Sequence, residues 1–276
     1  MDYSFISLIL FIVATLLYFI FLKPTLSVDN LSTLTGLAEY YSACNSKLII
    51  YMVVVICSQL FLNFFYLVSK CGGSPVQNIG AAIGYTLVPY IFIFGVLIGV
   101  LVIFPGFKSA FSNVIGYFYI SSAANTLLSN LLVNSDIVAN NSEISEEKQE
   151  ALEKSASMIM KICGNKSLLI NQINPNNFIN MWDTMLLPLA KNTLTAEVLK
   201  TKKEELLALV ITKDNIGEMV WYIYSGILVT SIVAYNLATR GCVKSVEQIK
   251  TEHDEYIKSR EEAMTQSELE NQTAYS

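Results

Sequence analysis

The stretch Ile79–Phe104 has the sequence IGAAIGYTLVPYIFIFGVLIGVLVIF, and it decides the fold because no residue in it is charged. A helix needs about 20 predominantly apolar residues to cross the hydrocarbon core of a bilayer. The stretch is long enough, and Pro105-Gly106 ends it. Pro89 lies inside it and predicts a kink, which membrane helices tolerate when neighbouring groups satisfy the freed carbonyl. The sequence therefore predicts a membrane-spanning helix here.

Three further stretches share this absence of charge: Phe5–Leu22, Leu48–Val68 and Met219–Ala238. Lys47 and Lys70 bracket the second of them. Lysines that flank an apolar stretch are typical of a span whose ends reach the membrane interface. We therefore predict an all-α fold, an integral membrane helical bundle of about four transmembrane helices with a small helical extramembrane domain.

The first stretch has one alternative interpretation, a cleaved signal peptide. Only Asp2 and the amino terminus carry charge before it, so the basic n-region is missing, and no small-x-small cleavage site follows. We therefore predict a retained N-terminal anchor. The lysines and arginines next to the spans divide almost equally between the two sides, so the positive-inside rule leaves the orientation open.

Two kinds of residue inside the spans predict helix packing. Small-xxx-small pairs let two helix backbones approach closely in lipid. The third span has two such pairs, Gly80 with Gly84 and Gly95 with Gly99. Gln59 and Asn63 lie four residues apart, on one face of the second span. Polar uncharged residues usually make interhelical hydrogen bonds there, which is our interpretation, and the alternative is that they line a pore.

The segment Phe107–Val133 is apolar on balance but is interrupted by Lys108 and by several serines and asparagines. We predict helices that lie in the interface or pack on the bundle, with a fifth span or a re-entrant loop as the alternative. Aromatic residues favour the headgroup level of a bilayer, and the start of the fourth span is aromatic as well. The residues expected to contact the interface or a partner are Phe107, Lys108, Phe111, Asn113, Tyr117, Phe118, Trp221 and Tyr222.

From residue 134 the composition becomes that of a soluble protein, and the pattern predicts helices at residues 145–162, 178–187 and 195–211. This gives four predicted regions along the chain. They are residues 1–133 (spans one to three and the aromatic segment), 134–215 (soluble helical domain), 216–240 (fourth span) and 241–276 (charged, partly helical tail).

The chain carries few of the groups that catalysis needs. It has one histidine, His253, and five cysteines without CxxC spacing, which argues against common zinc sites and His-dependent catalysis. Cys44 and Cys163 fall on the same predicted side and are able to pair, but we expect unpaired thiols. No Asp, Glu, Lys, Arg or His lies inside a span, which argues against a transporter. The net charge of −5 argues against a nucleic-acid partner. We predict no enzyme activity, no cofactor and no metal.

One pattern resembles a known family. Phe104-Pro105-Gly106-Phe107-Lys108 is followed by Phe111-Ser112-Asn113 and Gly116-Tyr117-Phe118. This resembles membrane proteins of nucleocytoplasmic large DNA viruses, in which an aromatic pattern of this kind follows a hydrophobic hairpin. The resemblance covers roughly residues 80–130. It implies a virion component in the membrane beneath an icosahedral capsid, such as a minor capsid protein, and it brings no catalytic residues.

We therefore expect a non-enzymatic structural membrane protein of a virus particle, which anchors the inner membrane to capsid or to other membrane subunits. Its expected partners are the lipid bilayer and other membrane or capsid proteins. The alternative is an oligomeric channel, a viroporin-like pore, whose partners are further copies of the chain. A membrane enzyme acting on lipids is a third hypothesis, but the sequence shows no carboxylate or thiol cluster to support it.

Overall fold

A computed structural model describes residues 3–71, 75–132, 166–242 and 246–273. These residues are almost entirely helical, and within them the one extended pairing is an isolated bridge between Leu132 and Ala190. The all-α prediction is confirmed. The helices are α1 (Tyr3–Leu22), α2 (Val28–Ser32), α3 (Leu34–Cys71), α4 (residues 75–103), α5 (residues 105–131), α6 (Lys166–Gln172), α7 (residues 178–189), α8 (Ala196–Thr239) and α9 (Val246–Thr273).

Four of these helices are long and apolar enough to cross a membrane: α1, α3, α4 and α8, with 20, 38, 26 and 44 residues in their apolar helical ranges. Each of them includes all or nearly all of one stretch predicted from the sequence, although α3 and α8 begin well before theirs. Such a set of helices is compatible with a multi-pass membrane protein. Because four spans bring the chain back to its starting side, both termini belong to the same side of the bundle.

A widened turn follows Pro89 in α4. Regular helix extends over Pro75–Pro89, a π turn occupies Tyr90–Phe94, and regular helix resumes over Gly95–Ile103. Proline has no backbone N–H and its ring crowds the preceding turn. That preceding turn is regular here and the π turn lies after the proline, so the kink stays a prediction. The helix continues through the irregularity instead of ending.

The helix α8 is longer than the sequence analysis expects. At 1.5 Å per residue it extends about 66 Å, roughly twice the thickness of the hydrocarbon core. The predicted soluble helix at residues 195–211 and the fourth span are therefore one continuous helix, and the predicted boundary between residues 215 and 216 lies inside it. The charged residues before Met219 indicated a break, but the structure gives those side chains partners while the backbone stays helical.

Two hydrophobic cores form along α8. We call the first the membrane core, and its buried side chains from the four spans include Phe11, Tyr51, Phe94, Tyr222 and Val229. We call the second the extramembrane core, and its buried side chains include Ile120, Leu128, Ile173, Trp182 and Val210. Because α8 contributes to both cores, it connects the membrane bundle to the helices outside it.

The helix α5 belongs to the extramembrane core. It packs along α8 and against α6, and its buried face carries Ile120, Ala124 and Leu131. It is not among the helices suited to span a membrane. Of the options that the sequence left open, packing on the bundle is therefore the one seen, and α5 groups with residues after 166 and not with the first three spans. The predicted helix at residues 145–162 lies outside the described residues.

The close helix contacts use different glycines from those expected. A Cβ atom added at Gly80, Gly84 or Gly99 would meet nothing within 4 Å, so these residues do not approach another helix among the described residues. Tight contacts between helices are at Gly217 and Gly226 on α8 and at Gly116 on α5, where a Cβ would overlap the Lys213 carbonyl oxygen. A Cβ at Gly217 would lie 2.6 Å from Ser112 Cβ, and one at Gly226 would overlap the Phe11 ring. The small-xxx-small pattern identified glycines that no other described helix approaches, because spacing alone does not say which face of a helix meets a neighbour.

One disulfide closes the side of the bundle that carries the termini. It joins Cys71 at the end of α3 to Cys242 just after α8, across 171 residues of sequence. The expectation of unpaired thiols concerned Cys44 and Cys163, so this pair was not predicted; Cys44 is free, as is Cys57. Cys163 lies outside the described residues. We call this side of the membrane core the disulfide face, defined by Cys71, Cys242 and Lys70.

Lys70 reinforces the disulfide face. Its ammonium group donates to the carbonyl oxygens of Leu237 at 2.9 Å, Ala238 at 2.7 Å and Arg240 at 3.1 Å. The last carbonyls of a helix have no partner within the helix and carry partial negative charge. A lysine from α3 therefore caps the carboxyl end of α8. Beyond it, the described side chains of α9 are exposed from residue 249 to residue 266.

Candidate functional site

Charged side chains from three segments meet where the spans leave the membrane core, on the side opposite the termini. Lys23 follows α1, Lys108 lies in the first turn of α5 directly after α4, and Asp214 and Glu218 lie on α8. We call this side the ionic face, and these four residues define it. None of them was selected as a charge site from the sequence.

Glu218 is the centre of the ionic face. Its Oε1 atom lies 3.0 Å from Lys23 Nζ, and its Oε2 atom lies 3.1 Å from Lys108 Nζ. The Tyr222 hydroxyl donates a further hydrogen bond to Oε1 at 3.0 Å. The side chains of Lys23 and Glu218 are only 6% and 14% exposed. Removing one partner from an ion pair this buried leaves an uncompensated charge, so a single carboxylate holds three segments together.

Lys108 joins the second carboxylate to the network. Its Nζ atom lies 2.6 Å from Asp214 Oδ2 as well as near Glu218. Burial alone would lower the pKa of Lys108, but the carboxylates of Glu218 and Asp214 outweigh burial and raise that pKa above its ordinary value. Lys108 is therefore a cation at neutral pH. The two lysines of the ionic face balance its two carboxylates.

Lys213 lies next to this network but is not an ion-pair partner in it. It is 2% exposed, and its Nζ atom donates to Asn113 Oδ1 at 3.1 Å and to the Ile170 carbonyl at 2.9 Å. Among the described residues no carboxylate lies within 4 Å of that nitrogen. A lysine ammonium has three N–H donors, so one of them has no acceptor in the described part of the protein.

A cavity of about 350 Å³ lies against the ionic face. Its wall includes all four residues of the ionic face and Lys213. Much of the remaining wall is formed by apolar residues near the ends of the spans and by asparagines from outside the membrane core. Among them are Leu48, Leu101, Val102, Asn113, Asn171 and Asn174. Cys44 also lines it and is a free thiol. The cavity therefore combines charged and hydrogen-bonding groups with an apolar side.

The described residues offer no metal centre, since no group of three or more His, Cys, Asp or Glu side chains is suitably placed within them. The chemistry of the site is that of ammonium groups, carboxylates, phenols and amides. Such groups fix helix ends and recognise charged or hydrogen-bonding ligands.

Gln59 and Asn63 lie inside the membrane core, on the face of α3 that meets α1 and α4. Gln59 accepts a hydrogen bond from Ser7 Oγ at 2.6 Å and donates to the Ser7 carbonyl at 2.9 Å. Asn63 donates to Thr86 Oγ1 at 2.8 Å. Both side chains are fully buried. These amides therefore link neighbouring spans of the same chain.

The eight residues predicted to meet the interface or a partner divide into three groups: two that face outward, two that contact each other, and four that face inward. Phe107 and Phe118 face outward, with 53% and 83% of their surface exposed. Phe111 contacts Trp221, whose indole nitrogen donates to the Leu97 carbonyl at 3.1 Å. The others face inward: Lys108, Asn113 and Tyr222 take part in the network around the cavity, and Tyr117 packs against the extramembrane core.

Sequence reasoning identified Lys108, Asn113 and Tyr222 but missed Lys23, Lys213, Asp214 and Glu218 as a site. A signal was present, because each of those charges stands within a few residues of the end of an apolar stretch. Charges at one membrane boundary are brought close together whenever the spans form one bundle. Pairing opposite charges at the same boundary would have selected Lys23 with Glu218.

Comparison of the chain with protein-family models, curated proteins and solved structures finds no match. The class that the fold defines is a helical protein with four candidate membrane spans and a second, extramembrane core.

Proposed function

We propose that the chain is a non-enzymatic structural membrane protein, which fixes an extramembrane helical layer, and partner proteins that bind it, to a bilayer. The observation that carries the proposal is the dual role of α8. Leu206 and Val210 of this one helix lie in the extramembrane core, while Tyr222 and Val229 lie in the membrane core. A continuous helix resists bending between the two cores, as an anchor requires.

The charged groups support the same proposal. Lys23, Lys108, Asp214 and Glu218 engage one another at the ends of spans, and Lys70 caps a helix end. An enzyme usually keeps a nucleophile or general base poised beside a substrate position. Here most of the charged groups near the membrane are used to hold helices to each other.

The outer surface gives partners a place to bind. Phe118 and Tyr119 on α5 are 83% and 73% exposed. Exposed aromatic residues of this kind are favoured at protein interfaces and at the headgroup level of a bilayer. The proposal assigns this surface of α5 to a partner protein.

We also propose in which membrane the protein lies. We assign the protein to the inner membrane of a large DNA virus particle, as a minor capsid or membrane subunit. This part rests on the resemblance at Phe104–Phe118, since no comparison bears on it. The exposure of Phe107 and Phe118 leaves two aromatic residues of that pattern accessible to a capsid protein.

Site-specific photocrosslinking tests the proposal. A photoreactive phenylalanine analogue at Phe118 is expected to form adducts with a protein partner in the native membrane. The matched control is the same analogue at Phe92, which is 68% exposed on the apolar surface of α4 and is expected to react with lipid only. Lipid adducts alone at both positions would contradict the partner assignment. Absence of the chain from purified, nuclease-treated particles would overturn the virion part alone.

The channel alternative is tested separately. Gln59 and Asn63 are fully buried and bonded to Ser7 and Thr86 of the same chain, which gives a lumen lined by them no support. We expect no ionic conductance from protein reconstituted in liposomes. A conductance that disappears in Asn63→Leu would overturn the structural proposal in favour of a pore.

A further inference from the structure

The positive and negative side chains that line the cavity beside the ionic face do not balance each other. Three lysines line it, Lys23, Lys108 and Lys213, against two carboxylates, Asp214 and Glu218. Lys23 and Lys108 pair with those carboxylates, whereas Lys213 has only neutral hydrogen-bond acceptors within reach. The charged residues in the described wall therefore leave one positive charge in excess, and it is a buried one.

Two polar atoms at the same place have unused hydrogen-bonding capacity. One N–H of the Lys213 ammonium lacks an acceptor in the described part of the chain. The Oδ1 atom of Asn171 is buried and lacks a donor there. Both side chains donate to Asn113. Lys213 Nζ donates to the side-chain Oδ1 of Asn113, and Asn171 Nδ2 donates to the backbone carbonyl of Asn113 at 3.3 Å, so the two side chains lie beside each other. Buried polar groups are normally satisfied, which indicates a ligand with both an acceptor and a donor.

The apolar part of the wall indicates where such a ligand comes from. Leu48 and Leu101 line the cavity where α3 and α4 leave the membrane core. Neighbouring Val102 is 53% exposed on the outside of the bundle. A ligand with an acyl chain can place its polar head in the cavity while the chain follows this apolar side. A free soluble anion gains nothing from those residues.

We propose that the cavity binds the headgroup of an anionic phospholipid, a phosphodiester with a hydroxyl group. Its phosphate oxygen accepts from the unused N–H of Lys213, its hydroxyl donates to Asn171 Oδ1, and its single negative charge offsets the excess positive charge. This site goes beyond the structural role proposed above and does not depend on it.

Protection of Cys44 from alkylation measures occupancy of the cavity directly. In a variant with Cys57→Ser and Cys163→Ser, Cys44 is the single cysteine outside the Cys71–Cys242 disulfide. The variant is reconstituted in nanodiscs of phosphatidylcholine alone, or of phosphatidylcholine and phosphatidylglycerol in equal parts. Its reaction with uncharged N-ethylmaleimide is then followed by mass spectrometry. We expect the reaction to be about tenfold slower with phosphatidylglycerol, the effect of one charge-assisted hydrogen bond on occupancy.

Two substitutions test whether the protection comes from the site. Lys213→Gln removes the excess charge, and Asn45→Asp adds a negative charge at an exposed position in the cavity wall. Both are expected to abolish the slowing, and Asn45→Asp decides the matter if Lys213→Gln fails to fold. The matched controls are Lys200→Gln and Asn192→Asp, which are exposed and outside the cavity wall, and they should keep it. A single thiol at Asn192→Cys, with Cys44→Ser, should react equally in both lipids.

The outcomes separate the possible sources of the anion. Equal rates of Cys44 alkylation in both lipids, or slowing that persists in Asn45→Asp, would overturn the proposal. Slowing by soluble glycerol phosphate without any effect of phosphatidylglycerol would overturn the assignment to a lipid. Slowing by phosphatidylglycerol that is lost in both cavity variants and kept in both controls would support it.

Discussion

The two faces of the membrane core hold its helices by different means. At the ionic face, Glu218 of α8 binds lysines that follow α1 and α4. At the disulfide face, a covalent bond and a lysine cap join α3 to the other end of the same helix. Each of the other three spans is thus tied to α8 at one end. The difference shows that α8 is the common partner and that no single device holds the bundle.

The two devices also respond to different conditions. An ion-pair network depends on the charge state of every member, and removing one member leaves its partner as an uncompensated buried charge. A disulfide depends on redox conditions and persists in oxidising compartments. The disulfide face is therefore sensitive to the redox environment, whereas the ionic face is not.

The largest effect is expected at the ionic face. Glu218→Gln leaves Lys23 and Lys108 with one carboxylate between them, so we expect the free energy of unfolding to fall by about 3 kcal/mol. Thermal unfolding in detergent, followed by tryptophan fluorescence, measures the change. The control Glu204→Gln, exposed on the same helix, should shift stability by less than about 0.5 kcal/mol. Equal melting of the two variants would show that the ionic face does not hold the bundle.

The disulfide face is expected to contribute less. Replacement of both Cys71 and Cys242 by serine should lower the free energy of unfolding by about 2 kcal/mol, because the link restricts the unfolded chain. A reductant should bring the wild-type protein to the same melting temperature and leave the double variant unchanged. Cys57→Ser, a free and exposed position, is the control and should behave as wild type. A reductant effect that is equal in the double variant would argue against the bond.

The middle of the bundle sharpens the comparison, because close packing and not charge joins the spans there. Gly226→Ala places a methyl group against the Phe11 ring and should cost about 1.5 kcal/mol through overpacking. Gly99→Ala is the matched control, since its Cβ meets nothing within 4 Å, and it should be neutral. The same melting experiment compares them. A neutral Gly226→Ala would mean that α1 and α8 are farther apart than the structure has them.

The smallest effect is expected at Lys70. Lys70→Gln keeps one donor for the end of α8 but loses the charge, so we expect about 1 kcal/mol of destabilisation. Lys47→Gln, which removes a lysine at the other end of the same span, is the control. If both variants melt alike, the cap does not add to the disulfide, and the covalent bond alone holds this face.

Much of the fold could be predicted from the sequence, and the reason is visible in particular stretches. Ile79–Phe104 and Met219–Ala238 are uncharged and predominantly apolar, and apolar length is a local property that forces a helix when water is absent. The continuity of α8 was missed because Lys213, Asp214 and Glu218 look like a boundary when their partners are unknown. Their side-chain partners Lys23, Lys108 and Asn113 lie 100 or more residues away in sequence.

The site was harder to predict than the fold. Asn113 and Tyr222 were selected as aromatic-segment or interface residues, and the structure brings both to the cavity. The glycine pairs of α4 fit a packing pattern, yet Gly226 on another helix makes the close contact. A spacing rule describes one helix, whereas a contact also depends on how the neighbouring helix is rotated.

By itself, the sequence determined four helices that suit a bilayer, since hydropathy and backbone satisfaction act within each stretch. Tertiary structure alone decided that Lys23 meets Glu218, that Cys71 meets Cys242 and that Lys213 is buried without an ion-pair partner. Each of these depends on the distance between segments that are remote in the chain. Local composition does not encode that distance; the packing of helices against α8 sets it.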